Sequence, residues 1–153
     1  MKKLLLPLSL FALSASAIAN QNIDQLKLKT IKQVYKEGYS NHLTPDFNRV
    51  LDEAAVIDNK KEFPGDYCDT PIIDIDHFGE EFDPSKPKIK IQGDKVIATL
   101  LQFKDDPDSK LTVTFSLECK NNKCLISDFG VASDTDKVDS FKDFVAQCTK
   151  ESK

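Results

Sequence analysis

The sequence contains no tryptophan and only two histidines, His42 and His77, among 153 residues. It therefore has no H-x-x-x-H arrangement of the kind that binds zinc in metalloproteases, and it has no G-x-S-x-G motif of a serine hydrolase. Beyond the N-terminus, no segment is long and apolar enough to cross a membrane. We expect no cofactor and no stable membrane insertion, and nothing in these patterns favours an enzyme.

The N-terminus has the pattern of a secretory signal peptide. Lys2-Lys3 precedes an apolar run from Leu4 to Leu13, and Ala17-Ile18-Ala19 fits the A-x-A cleavage rule. A membrane anchor is the alternative, but the apolar run is too short to span a bilayer comfortably. We predict that residues 1–19 are a signal peptide and that residues 20–153 form a single domain that is periplasmic or secreted.

Acidic side chains outnumber basic ones in the predicted mature chain. Without Lys2 and Lys3, the 21 basic side chains fall to 19 against 25 acidic ones, which gives a net charge near −6. Nucleic-acid binding needs clustered Lys and Arg that neutralise phosphates, so nucleic acid is not an expected partner. An acidic protein also suits neither an anionic bilayer nor a polyanionic substrate, and a basic protein partner or simple solubility fits better.

Hydrophobic periodicity places helices at both ends of the chain and strands between them. A first helix is predicted from about Ile23 to Tyr39, and a second begins with Thr44 as N-cap and Pro45 in its first turn. Further along the chain, the pattern predicts strands at 88–91, 96–103, 111–119 and 124–129, and a last helix at about 136–149. This order predicts an α+β domain with helices packed on one face of an antiparallel sheet.

Four cysteines, Cys68, Cys119, Cys124 and Cys148, follow the predicted cleavage site. An even number in an oxidising compartment indicates disulfides, although sequence alone allows three pairings. A type I′ turn at Asn121-Asn122 would set Cys119 opposite Cys124 in a hairpin, within reach of a disulfide. The C-x₄-C spacing does not match the C-x-x-C redox motif, and a zinc site would need a second pair nearby. The favoured pairings are Cys119 with Cys124 and Cys68 with Cys148.

Several segments together resemble a known family. They are Val34-Tyr35-Lys36-Glu37-Gly38-Tyr39, a second helix from Thr44, Asp69-Thr70-Pro71-Ile72-Ile73-Asp74-Ile75-Asp76-His77-Phe78, and Cys124-Leu125-Ile126-Ser127-Asp128-Phe129. The chain is similar to a family of secreted bacterial domains of unknown function related to the nuclear-transport-factor-two-like, cystatin-like superfamily. The resemblance implies N-terminal helices on a curved, cone-like antiparallel sheet, with a conical pocket between them. The chain departs from the family in lacking a Trp before the last strand and in carrying an additional C-terminal helix, which would close the open end of such a pocket.

Asp128 is the candidate catalytic residue. If Cys119 and Cys124 point to the core, strand alternation turns Ile126 and Asp128 inward as well. A carboxylate on an apolar face needs a partner, and pockets in the related superfamily use such an acid for proton transfer. The alternative is a bulge near Ser127, or a strand end, that leaves Asp128 in water. We favour this alternative, because polar residues near a sheet end commonly avoid burial in this way.

An acidic stretch between the second helix and the first strand is the strongest hint of a binding surface. From Asp66 to Asp83 it contains seven acids and no Lys or Arg, and the predicted contact residues are Asp66, Asp69, Asp74, Asp76, His77, Glu80 and Glu81. An ordered, exposed run of this kind would make a negative field that steers a basic partner, although plain solubility explains it as well. Asp74, Asp76 and His77 would suit metal binding or proton transfer, but their spacing matches no EF-hand loop, and a solvated or capping role is favoured.

Three functions from different classes fit these patterns. The first is an exported, disulfide-stapled binding or accessory protein of the periplasm. The second is a periplasmic immunity protein that neutralises a secreted toxin through the acidic stretch. The third is a small pocket enzyme that uses Asp128 or the cluster of Asp74, Asp76 and His77. Export, disulfides and the lack of a catalytic motif favour the first.

Overall fold

The computed structural model describes residues 12–58, 85–135 and 137–151, and within them the side chains of 21–56, 85–135 and 137–150. In chain order the elements are α1 (Ala12–Glu37), a 3₁₀ turn (Ser40–His42), α2 (Pro45–Asp58), β1 (Lys88–Gln92), β2 (Lys95–Leu101), β3 (Lys110–Lys120), β4 (Lys123–Ala132), β5 (Lys137–Val138) and α3 (Phe141–Glu151). The predicted α+β fold is confirmed, with two N-terminal helices and one C-terminal helix beside an antiparallel sheet.

The five described strands form one sheet in which their spatial order is their order along the chain, β1-β2-β3-β4-β5. Two-residue turns join β1 to β2 and β3 to β4. In the first turn Gly93 has a φ of 63° and Asp94 has no positive φ, which is the pattern of a type II′ turn. In the second, Asn121 and Asn122 have φ values of 52° and 58°, so the type I′ turn predicted there is confirmed.

The start of α2 follows the prediction from sequence. Pro45 is its first residue, and the Phe47 N–H donates a hydrogen bond of 3.3 Å to Thr44 Oγ1, which caps the helix. The Thr44 N–H in turn donates to the Ile126 carbonyl at 2.8 Å, beside a parallel bridge between Leu43 and Ile126. These bonds attach the N-terminus of α2 to β4.

The hydrophobic core lies between the sheet and the three helices. Side chains on β2 and β3 alternate between buried and half-buried positions, because successive residues of a strand point to opposite faces. The buried residues include Ile31, Val34, Phe47, Val50, Phe141 and Val145 from the helices and Val96, Ala98, Leu100, Leu111, Val113, Phe115, Ile126 and Phe129 from the sheet. The alternate residues of these strands, which are half-buried, lie on the opposite face of the sheet.

Several boundaries differ from the prediction. The first helix begins at Ala12 instead of about Ile23, within the predicted signal peptide, and ends at Glu37. The strand predicted to reach Phe103 ends at Leu101. The last helix begins at Phe141 instead of about residue 136, and a short strand, β5, precedes it and pairs with the end of β4. The strand predicted to end at Phe129 continues to Ala132 to make this pairing. None of the described helices is long and apolar enough to cross a membrane.

Candidate functional site

A disulfide joins the two strands of the β3–β4 hairpin. Cys119 and Cys124 are bonded, and their Cα atoms lie 4.0 Å apart. The register sets Lys120 opposite Lys123 next to the turn and the two cysteines opposite each other, as predicted. Such a short Cα separation is typical of a non-hydrogen-bonded pair in an antiparallel ladder. The hairpin cysteines are therefore a structural crosslink.

Cys148 in α3 is also disulfide-bonded. Its predicted partner, Cys68, lies outside the described residues. The pairing of Cys68 with Cys148 therefore stays a prediction, and it would tie the acidic stretch to the C-terminal helix.

A β-bulge at Ser127 interrupts the alternation of β4. Ser116 pairs with Asp128, but the next residue, Leu117, pairs with Ile126, so Ser127 has no counterpart on β3. The additional residue shifts the period of the strand, so that Ile126 and Phe129 are both buried whereas Asp128 is half-buried. The bulge anticipated near Ser127 is thus present, and simple alternation does not hold beyond Ile126.

Asp128 uses one carboxylate oxygen to accept two backbone hydrogen bonds. The Phe129 N–H donates to Oδ1 at 2.8 Å, and the Lys142 N–H donates to the same atom at 3.0 Å. Lys142 is the second residue of α3, so its N–H is one of the first four in the helix, which have no intrahelical acceptor. Asp128 therefore acts as a cap that attaches the start of α3 to β4.

Ser140, the residue immediately before α3, provides a second cap for this helix. Its Oγ accepts a hydrogen bond of 3.1 Å from the Asp143 N–H, in the third position of α3. An N-cap serine that satisfies the third N–H is the common way in which a helix starts. With Asp128 on the second N–H, two of the first donors of α3 have defined acceptors.

The side chain of Lys142 connects α3 to α2. Its Nζ donates to Asp46 Oδ2 at 2.9 Å, and Arg49 binds the other oxygen of the same carboxylate at 2.8 Å. Arg49 also bonds Glu53 at 2.7 Å, which makes a chain of four charged groups. The hydrogen bonds, first from Arg49 and then from Lys142, lower the pKa of the Asp46 carboxyl, and the bond to Asp46 raises the pKa of Lys142. Because Asp46 and Arg49 are both exposed, the network orients the two helices more than it stabilises them.

Replacing Asp46 with Asn should reduce the pH dependence of the free energy of unfolding in the acid range. The Asp46 pKa is lowered in the folded state, so its pairing contributes stability above the unfolded value of 3.8 and loses it as the pH falls through the folded value. We expect wild type and variant to differ in urea denaturation at neutral pH and to converge as the pH falls through the lowered pKa of Asp46. Asp52→Asn removes the same charge from the same helix and serves as control. A difference that is unchanged over this pH range would contradict the pairing.

Two buried side-chain atoms in the described part of the chain lack a hydrogen-bond partner, namely Tyr35 Oη and His42 Nε2. The Tyr35 ring packs edge-on against Phe115, with ring centroids 6.3 Å apart. Burial raises the pKa of the Tyr35 phenol far above its ordinary value, since the phenolate would be desolvated. The sequence does not indicate either unsatisfied atom, because the identity of a Tyr or a His gives no sign of how its polar end is satisfied in the fold.

Tyr35→Phe is expected to raise the free energy of unfolding by about 1 kcal/mol, because it keeps the buried ring and removes a hydroxyl that has no partner. The measurement is urea denaturation at neutral pH. Tyr39→Phe, two residues after the end of α1 and also packed on a core phenylalanine, controls for deletion of a tyrosine hydroxyl in general. Destabilisation by Tyr35→Phe would show that the hydroxyl makes a favourable interaction in solution and would contradict the prediction.

The acidic stretch that the sequence indicates as a binding surface lies outside the described residues. This applies to every predicted contact residue in it, namely Asp66, Asp69, Asp74, Asp76, His77, Glu80 and Glu81. In the part of the chain that the structure describes, no group of three or more His, Cys, Asp or Glu side chains is arranged to hold a metal ion. Of the predicted site residues, the structure thus positions Asp128, Cys119, Cys124 and Cys148.

No protein-family model matches the chain, and no curated protein or solved structure matches it either. In the ranges that the structure describes, three helices cover one face of an antiparallel meander of five strands, which is an α+β arrangement. The resemblance to the nuclear-transport-factor-two-like superfamily, including its conical pocket, stays a prediction.

Proposed function

We propose that the protein is an exported, disulfide-stapled small binding or accessory protein of the periplasm. The Cys119–Cys124 disulfide is the observation that carries this proposal. Structural disulfides persist in oxidising compartments and are rare where thiols are kept reduced. The basic, apolar and A-x-A segments at the N-terminus support the same compartment.

The surroundings of Asp128 support binding over catalysis. Asp128 Oδ1 accepts two backbone hydrogen bonds and holds the first turn of α3, so this oxygen has a structural use. This is the work of a structural cap, which agrees with a protein whose surface, and not a reacting group, carries its function.

Export can be tested with the full chain expressed in a Gram-negative host. We expect the periplasmic fraction to contain a protein that starts at Asn20, with an intact mass that is lower by two hydrogens for each disulfide. Ala17→Arg should block processing because it disrupts the A-x-A rule, whereas Ile18→Arg, at the unconstrained middle position, should be processed normally. Unprocessed protein with reduced cysteines in the cytoplasm would overturn the proposal.

The role of Asp128 separates the binding protein from the pocket enzyme. Asp128→Ala should lower the free energy of unfolding by about 0.5–2 kcal/mol and increase amide exchange in the first turn of α3, because a cap is lost. Asp128→Asn keeps an oxygen acceptor and should cost less. Ser140→Ala, which removes the neighbouring cap, should give a similar pattern. Unchanged stability of Asp128→Asn together with complete loss of an identified activity would instead favour the enzyme.

A periplasmic immunity protein is the second candidate, and the acidic stretch favours it. Seven acids between Asp66 and Asp83 without an intervening Lys or Arg would provide a contact surface for a basic toxin. The test is co-expression with the product of a neighbouring effector gene. Protection that is lost when Asp66, Asp69, Glu80 and Glu81 are changed to amides would support this function. Failure to bind or protect against any neighbouring effector would exclude it.

A further inference from the structure

Strand β1 forms an edge of the sheet. In the described part of the chain it pairs with β2 and with no other strand. The outer side of an edge strand presents a row of N–H and C=O groups that can pair with another extended chain. Natural edges of this kind are either protected or used.

Two lysines of β1, and a third two residues before the strand, are exposed along this edge. Lys86, Lys88 and Lys90 are exposed and alternate with half-buried residues that start at Pro87. Alternate residues of an extended chain lie about 7 Å apart, so Lys86, Lys88 and Lys90 place like charges at regular intervals along this edge. No side-chain hydrogen bond or ion pair found in the described residues involves these three lysines. On the inner side of the row, Lys88 is opposite Thr99 and Lys90 is opposite Ile97, neither of which offers a negative charge.

The other face of β1 is apolar. Ile89 and Ile91 pack against the hydrophobic core but are only partly buried. An added strand with apolar residues at alternate positions would continue this layer, because its side chains would lie beside those of the two isoleucines. The edge therefore has basic residues on one face of the sheet and apolar residues on the other, because the two kinds alternate along the chain.

The charge row also determines which chain can pair with this edge. Antiparallel pairing with β1 of a second copy would bring lysine rows together, and like charges on neighbouring strands are destabilising. A strand that carries Asp or Glu at alternate positions would instead place a carboxylate beside each lysine.

We propose that the β1 edge binds an extended segment of a partner protein by strand addition, and that this segment alternates acidic and apolar residues. Backbone hydrogen bonds supply affinity, and contacts with Lys86, Lys88 and Lys90 supply specificity. The proposal goes beyond the accessory role proposed above, and it is independent of the acidic stretch because it concerns the opposite charge on a different segment.

The probe is a blocked seven-residue peptide of alternating aspartate and isoleucine, titrated into the mature chain and followed by amide NMR shifts. We expect the largest shifts in β1 and protection from exchange for those of its amides that are not bonded to β2. Changing Lys86, Lys88 and Lys90 together to Gln should weaken binding at least about tenfold. Changing Lys110, Lys120 and Lys123, which are exposed elsewhere on the sheet, to Gln removes the same charge and should weaken it less than about twofold. A peptide with lysine in place of aspartate should not bind.

Three results would overturn the proposal. The first is absence of binding, or equal weakening by the two triple variants, which would indicate general charge attraction. The second is concentration-dependent self-association that the Lys86, Lys88 and Lys90 variant abolishes, which would assign the edge to a second copy. The third is peptide binding that appears only when Asp74 and Asp76 are both changed to Asn, which would assign the edge to that part of the same chain.

Discussion

Phe129→Ala is expected to lower the free energy of unfolding by about 3–5 kcal/mol, which is a large part of the total for a domain of this size. Phe129 is 1% exposed and lies at the centre of the aromatic core. Its ring centroid is 4.8–6.3 Å from those of four other rings, on Tyr39, Phe47, Phe115 and Phe141. Removal of the ring would leave a cavity between the sheet and elements that precede and follow it in the chain.

The measurement is urea denaturation monitored by circular dichroism, with Phe103→Ala as the matched control. Phe103 is 42% exposed, so its truncation should cost well under half as much. If Phe129→Ala does not fold, Phe129→Leu keeps part of the apolar volume and should show a smaller loss of the same sign. A loss for Phe129→Ala no larger than that for Phe103→Ala would contradict the central position of this ring.

The bulge at Ser127 is what directs Phe129 to the core. Without the additional residue, the period of two that runs from Cys124 and Ile126 would place position 128 inside and position 129 outside. The bulge moves the acid out of the apolar layer and brings the aromatic ring into it. Because Ser127 has no counterpart on β3, Asp128 caps α3 and Phe129 packs in the core.

Gly130→Ala is expected to lower the free energy of unfolding by about 1–3 kcal/mol, through steric overlap and not through backbone conformation. A Cβ at this position would lie 2.6 Å from the Asp139 carbonyl oxygen and 2.8 Å from that of Val138. These are backbone atoms at the end of β5 and at the start of the segment that joins it to α3, so they cannot turn aside as a flexible side chain can. The segment would have to move away from β4.

Gly93→Ala is the informative comparison for this variant. Gly93 has open space around its missing Cβ but a φ of 63°, so alanine there is disfavoured by about 1 kcal/mol through its backbone alone. Gly93→Asn should recover much of that loss, since Asn tolerates positive φ, whereas Gly130→Asn should be at least as damaging as Gly130→Ala. Wild-type stability of Gly130→Ala in urea denaturation would contradict the close approach of the two backbones.

Local signals predicted much of the fold. The Thr44–Pro45 start of α2 and the Asn121-Asn122 turn depend on residues that are adjacent in sequence, and the structure has both. The facing cysteines follow from that turn because the register of a hairpin is set by its loop. The α+β order likewise follows from periodicity along the chain.

Local sequence signals do not predict features that depend on residues far apart in the chain. Asp46 and Lys142 are 96 positions apart, and only the packing of α2 on α3 brings them together. The start of α3 was predicted too early because Lys137 and Val138 fit a helical pattern as well as a strand, and pairing with Val131 and Ala132 decides between them. The capping role of Asp128 needs both the bulge and the position of α3, neither of which periodicity alone specifies.

The meander order of the sheet has a consequence for how the chain acquires its structure. Each strand pairs with its neighbour in sequence, so most of the sheet requires only short loops to close, and contacts of this kind form quickly. The contacts between α2 and α3 close a far longer loop and must wait for both ends of the chain. The hairpins of the sheet therefore close at a lower cost in chain entropy than the contact between α2 and α3 does.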